Sequence, residues 1–108
     1  SAMPASRGVN PVYASITEDG RTLLVANYHG PDDATDSEGA SVASFSIGAN
    51  CDLTAVDAVP HSGSSVVRGR QDSAHPHSFV AVRNGLAYAC DLGQDAIFTY
   101  EVGPTGSL

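Results

Sequence analysis

Residues 10–28 read NPVYASITEDGRTLLVANY, and residues 75–91 read HPHSFVAVRNGLAYACD. Both open on an X-Pro pair, and proline suits the first residue of a strand or a sheet edge. A short run rich in β-branched and aromatic residues follows. A polar turn ending in glycine, Glu18-Asp19-Gly20 or Arg83-Asn84-Gly85, then reverses the chain. Glycine adopts the positive φ that such hairpin turns need. A second apolar run comes next, and no helical period persists for three turns anywhere in the sequence. The pattern is that of antiparallel strands.

Working outward, the spacing predicts strands over 12–16, 22–27, 41–47, 53–59, 78–82, 86–90 and 96–102, with an eighth beginning at Leu108. The run over 22–27 is nearly all apolar and is expected to be covered on both faces. The stretch over 41–47 alternates Val42, Phe45 and Ile47 with serines, slipping at Ala43. The two series align as a repeat. Asn10-Pro11-Val12-Tyr13 matches His75-Pro76-His77-Ser78, and the turns match at the same offset of 65. Val25-Ala26-Asn27 matches Ala89-Cys90-Asp91 at 64, and Val42-Ala43-Ser44-Phe45 matches Ile97-Phe98-Thr99-Tyr100 at 55. The shorter offset follows from the loop at 29–39, which the second unit reduces to Leu92-Gly93-Gln94.

Four strands in about 40–50 residues is the signature of a propeller blade, a unit that buries its faces only against neighbours. The expected fold is therefore all-β, with antiparallel four-stranded blade repeats amounting to about one and a half blades. Residues 1–9 read as an N-terminal extension, with Ser1-Ala2-Met3 resembling an appended tag. Residues 10–61 form the first unit, 62–74 a connection, and 75–108 a second, incomplete unit. A ring of four blades takes roughly 160 residues on the same arithmetic. The 108-residue chain is then expected to be a fragment or an assembling module, self-associating through unpaired strand edges.

The chain has no lysine and a net charge of −7, a poor match to nucleic acid or anionic membranes, which select basic surface. No apolar run reaches membrane-spanning length, and no signal peptide is evident. Cys51 and Cys90 fit no metal or redox spacing. Both are expected as free thiols, Cys90 as a small buried hydrophobe and Cys51 in a turn, with the cytoplasm as the default compartment.

Against this acidic background, residues 61–77 gather three of four histidines (His61, His75, His77) and two of five arginines (Arg68, Arg70), with Asp72 as the sole acid. Arginine forks match carboxylate and phosphate, and histidines move protons near neutral pH. The cluster reads either as an anion site or as a solvated connection. His75 and His77 face the same way if both lie on a strand. They then form a catalytic pair, or hydrogen-bond the backbone at the strand entry. A metal site needs a third ligand, and none is local. Asp91-Leu92-Gly93-Gln94-Asp95 suits a tight turn before a binding role. The acidic loop Asp32 to Glu38 departs from an EF-hand and reads as flexible surface. No serine-nucleophile elbow, P-loop or dinucleotide fingerprint is present, so no cofactor is expected.

Asn10-Pro11, Asp19-Gly20-Arg21 and Val25-Ala26-Asn27-Tyr28 resemble the start of a blade in the seven-bladed lactonase family of β-propellers. Its members include propeller-type 6-phosphogluconolactonases and fungal carboxymuconate cyclases. The ordered set His61-Ser62-Gly63, Arg70-Gln71, His75-Pro76-His77 and Asp91-Leu92-Gly93-Gln94-Asp95 is similar to the family's consecutive blades. The resemblance implies a channel mouth that binds a small anionic sugar-acid lactone and hydrolyses it. Arg70 and His77 would face the channel and hold the anionic group or move protons, with His75, Gln71, Asn27 and Asp91 supporting them. It implies no cofactor, and the 108 residues alone would lack the partner residues of the other blades and be inactive. The alternative is a non-catalytic β-rich binding module.

Overall fold

The computed structural model describes residues 3–29 and 39–108. Among them lie seven strands: β1 (Pro11–Ile16), β2 (Thr22–Asn27), β3 (Ser41–Ile47), β4 (Leu53–Pro60), β5 (Pro76–Ala81), β6 (Leu86–Asp91) and β7 (Ala96–Glu101). They form a four-stranded antiparallel sheet in the order β1-β2-β3-β4 and a three-stranded one in the order β5-β6-β7. The all-β fold of blade-like meanders agrees with the expectation. β2 and β3 have the expected bounds. β5 begins earlier, at Pro76, because a bulge between Pro76 and Ser78 lets the proline pair with Asp91. Leu108, where a further strand is expected to begin, donates its backbone N–H to Asp57 Oδ2 at 3.0 Å. The acidic loop from Asp32 to Glu38, read as flexible surface, lies outside the described residues.

The two sheets pack face to face. Leu24, Ala26 and Val42 of the first meet Phe79, Ala87 and Ala89 of the second, all fully buried. Side chains alternate across a strand. In Ala87-Tyr88-Ala89-Cys90 the two alanines therefore point inward, while Tyr88 and Cys90 point away. Cys90 is thus exposed, contrary to the expectation of burial, because its position in the alternation places it on the outer face. Cys51 is a free, exposed thiol in a short turn, Ala49–Cys51. Ser15 stitches the sheets together: its hydroxyl donates to the Phe79 carbonyl (2.6 Å) and accepts from Ala81 N–H (3.1 Å). From the far end, Ser44 Oγ donates to the Gly106 carbonyl at 2.5 Å. β2 is buried along almost its whole length, as its apolar run predicts. Among the described residues no helix is long and apolar enough to cross a membrane.

Candidate functional site

The ends of β2 and the start of β5 meet through an aromatic cluster. Tyr28, just after β2, stacks on His75 with ring centroids 4.4 Å apart and planes 10° from parallel. His77 approaches the same tyrosine edge-on at 5.9 Å, and His29 lies 4.9 Å from His75. Both paired histidines therefore reach Tyr28, His75 lining one hollow and His77 another. His75 precedes the strand, and the bulge after Pro76 breaks the two-residue alternation.

Arg70 separates two hollows. One, about 610 Å³, is lined by Arg70, His77, Cys90, Asp91, Leu92 and Asp95 among others. The second, about 390 Å³, is lined by Arg70, His75, His29, Tyr28, Asp72 and Ser73. Arg70 is exposed in the connection that runs from β4 to β5. His75 Nδ1 lies 3.4 Å from the Tyr28 carbonyl, and its Nε2 lies 3.5 Å from Ser73 Oγ. Burial holds His75 below the usual imidazole range, with help from His29 and Arg70. The Tyr28 carbonyl and the Asp91 charge oppose this. A neutral ring fits the geometry: Nδ1–H donates to Tyr28 and Nε2 accepts from Ser73.

The three expected supporting residues are buried and tie neighbouring segments together through backbone and side-chain hydrogen bonds. Gln71 Nε2 donates to the Leu92 carbonyl (3.0 Å) and its Oε1 accepts from Val67 N–H (3.1 Å), which shapes the connection carrying Arg70. Asn27 donates to the Ser6 carbonyl (2.9 Å) and to Ser41 Oγ (3.0 Å), away from the Arg70 hollows. Asp91 closes β6. Its Oδ1 accepts from the backbone N–H groups of His75 (2.7 Å) and Gln94 (3.2 Å), and its Oδ2 from the Gln94 amide (2.9 Å). This is the turn-forming role read from the sequence.

His61 belongs to the cluster of histidines and arginines read from the sequence, where it has no separate role. His61, at the end of β4 and 5% exposed, places Nδ1 2.7 Å from Asp91 Oδ2 and Nε2 2.7 Å from the Tyr100 hydroxyl. It thereby fastens the first sheet to the second. Burial pushes the Asp91 carboxyl up, but the hydrogen bonds from His61, the His75 N–H and Gln94 outweigh it. They hold the group at about 2.

Gly93 explains why the connection sits so close to β6. A Cβ there would occupy the space of the Ser73 carbonyl and crowd Ala74 Cα, both backbone. Gly93→Ala is expected to push the segment that carries Arg70 and His75 off the sheet. The cost should be about 1–3 kcal/mol, read as a lower urea midpoint. An unchanged midpoint would show that the connection is not held against Gly93. Among the described residues no group of three His, Cys, Asp or Glu side chains is arranged to hold a metal ion.

The family model for the lactonase seven-bladed β-propeller matches residues 2–108. A 6-phosphogluconolactonase of Formosa agariphila is 31% identical over 97 residues, covering 88% of this chain and 25% of that protein. Among solved structures, the periplasmic gluconolactonase PpgL of Pseudomonas aeruginosa is 37% identical with a TM-score of 0.71, covering 87% of this chain and 24% of that one. A candidate 6-phosphogluconolactonase of Bacteroides fragilis superposes with a TM-score of 0.76 at 28% identity, covering 94% and 26%. The chain spans about a quarter of the length of the relatives it matches. Two packed antiparallel blades, a matching family model over nearly every residue, and close structural relatives lead to one assignment: this chain belongs to the lactonase family of seven-bladed β-propellers.

Proposed function

We propose that these residues form part of the mouth of a lactonase-type propeller that hydrolyses a sugar-acid lactone. The observation that carries this reading is Arg70 standing between two hollows, with His77 in one and His75 in the other. Opening a lactone requires an activated water and stabilisation of the oxyanion that develops on the carbonyl oxygen. His77 takes the proton of the attacking water. Arg70 offers a fork to the oxyanion or to an acidic substituent of the sugar. His75, kept neutral by burial, orients the entry of β5. Gln71, Asn27 and Asp91 hold the backbone on which these groups stand. The names of the Formosa and Pseudomonas relatives support a sugar lactone as substrate. The exposed free thiols of Cys51 and Cys90 fit a reducing compartment such as the cytoplasm.

The test is hydrolysis of δ-gluconolactone and its 6-phosphate, measured above the spontaneous rate. Substituting His77→Ala or Arg70→Ala is expected to lower the enzymatic rate about a hundredfold or more, with the β-sheet circular dichroism unchanged. Wild-type turnover in the double variant removes both residues from the mechanism. The assay is made on the full-length propeller that contains these residues, and a wild-type propeller that gives no rate above background overturns the hydrolase reading.

A further inference from the structure

The smaller hollow holds a hydroxyl that the lactone reading does not use. Its walls come from two consecutive units: Tyr28 and His29 after β2, and the connection from Gly69 to His75, Ser73 among them. Ser73 is half-buried. Its Oγ lies 3.5 Å from His75 Nε2, and His75 Nδ1 lies 3.4 Å from the Tyr28 carbonyl. Hydroxyl, imidazole and orienting acceptor stand in the order that activates a serine for attack. Such contacts are commonly long without substrate and tighten when it binds.

The imidazole is held on three sides. Tyr28 stacks on it with centroids 4.4 Å apart, which fixes the plane of the ring. The His75 backbone N–H donates to Asp91 Oδ1 at 2.7 Å. Ala74, between the serine and the histidine, is fully buried against Gly93. Burial keeps the His75 ring below the usual imidazole range, so it is neutral near pH 7, the form that accepts a proton. Arg70 and Asp72 line the same hollow and offset each other's charge. The Asp72 carboxylate is engaged by the Gly69 N–H at 2.8 Å, which leaves the Arg70 guanidinium to meet developing negative charge.

We propose that Ser73 is a nucleophile with His75 as its base, and that this hollow transfers the acyl group of small uncharged carboxylic esters to water. Ser73 Oγ bonds to the ester carbonyl carbon as its proton passes to His75 Nε2. Arg70 faces the oxyanion. The carbonyl carbon–alkoxy bond then breaks, and His75 returns the proton to the departing alkoxide, releasing an alcohol and leaving acyl-Ser73. Water gives a proton to His75 and attacks the acyl carbon. Ser73 leaves with that proton, and the carboxylic acid is released. The site is separate from the water activation assigned to His77, which lines the other hollow. Ser73 stands in a connection between strands, outside any strand-to-helix elbow, so no sequence motif marks it.

The experiment treats the full-length propeller that contains these residues with a fluorophosphonate, from which a nucleophilic serine displaces fluoride to form a P–O bond. Fragment masses from the tryptic peptide 71–83 distinguish Ser73 from Ser78. The label is expected on Ser73. The labelling rate of the wild type should fall with acidity through a midpoint below 6.5, the ordinary value for histidine. Ser73→Ala should lose the label and hydrolyse p-nitrophenyl acetate about a hundredfold more slowly, with δ-gluconolactone hydrolysis unchanged. His75→Gln should slow labelling by a similar factor. A propeller that takes no label on Ser73 overturns the proposal, as does a midpoint at or above 6.5. Labelling of His75→Gln at the wild-type rate removes the base. Loss of ester and lactone hydrolysis together in Ser73→Ala overturns the separate site.

Discussion

Asp91→Ala is expected to lower the stability of the chain by about 3–5 kcal/mol. The carboxylate is 2% exposed and accepts from His61, the His75 N–H, and the backbone and amide of Gln94. Removing it leaves those donors buried without acceptors, and each orphaned donor costs about 1–3 kcal/mol. The residue also joins two sheets, so its loss loosens the packing around it. The pH dependence gives an independent check. In the folded state the carboxyl sits at about 2, below its ordinary value of 3.8. Its stabilisation is therefore fully present above about pH 4 and is lost as pH falls from there through about 2. Urea unfolding between pH 2 and 6 should show this acid limb in the wild type and lack it in Asp91→Asn. An equal acid limb in the variant would assign the effect to other carboxylates.

Phe79→Ala should cost about 3–5 kcal/mol. The ring is fully buried between the sheets, and the edge of Tyr100 approaches it with centroids 5.2 Å apart. Its neighbours in the core include Ala26 across the interface and Ala87 and Ala89 on its own sheet, all too short to close the gap. The cavity therefore persists, and the lost packing adds to the lost burial. Domains of this size are stable by about 5–15 kcal/mol, so the variant should be unfolded or nearly so at moderate urea. The readout is the urea midpoint at constant m. A loss below about 1 kcal/mol would mean that the two sheets do not pack on each other in solution.

How much of this was legible in the sequence differs from residue to residue. β2 and β3 were readable to their ends, because β2 is an apolar run and β3 alternates, both bounded by turn residues. β5 was misplaced at its start because a proline and a bulge interrupt the period that marks a strand. Cys90 looked buried from its apolar neighbours. Its exposure depends on which half of a two-residue alternation faces the other sheet, and nothing local decides that. The Arg70, His75 and His77 neighbourhood was visible as a basic cluster in an acidic chain. The division into two hollows was not, since it depends on the bulge and on Tyr28, which the topology brings in from the other unit. The partnership of His61 with Asp91 was equally hidden. The two residues belong to different sheets and meet only once those sheets have packed.

That bond also bears on how such chains can be recombined. His61 follows the last strand of one sheet, yet its acceptor lies at the end of the second strand of the next. A crossover between relatives anywhere in 62–74, the obvious seam between sheets, joins a histidine from one parent to a carboxylate from the other. A crossover just beyond Asp91 keeps both together. The segment that keeps this bond intact thus runs from His61 through Asp91, out of phase with the sheets. Chimeras spliced at the visible seam should survive only when both parents carry the same imidazole and carboxylate.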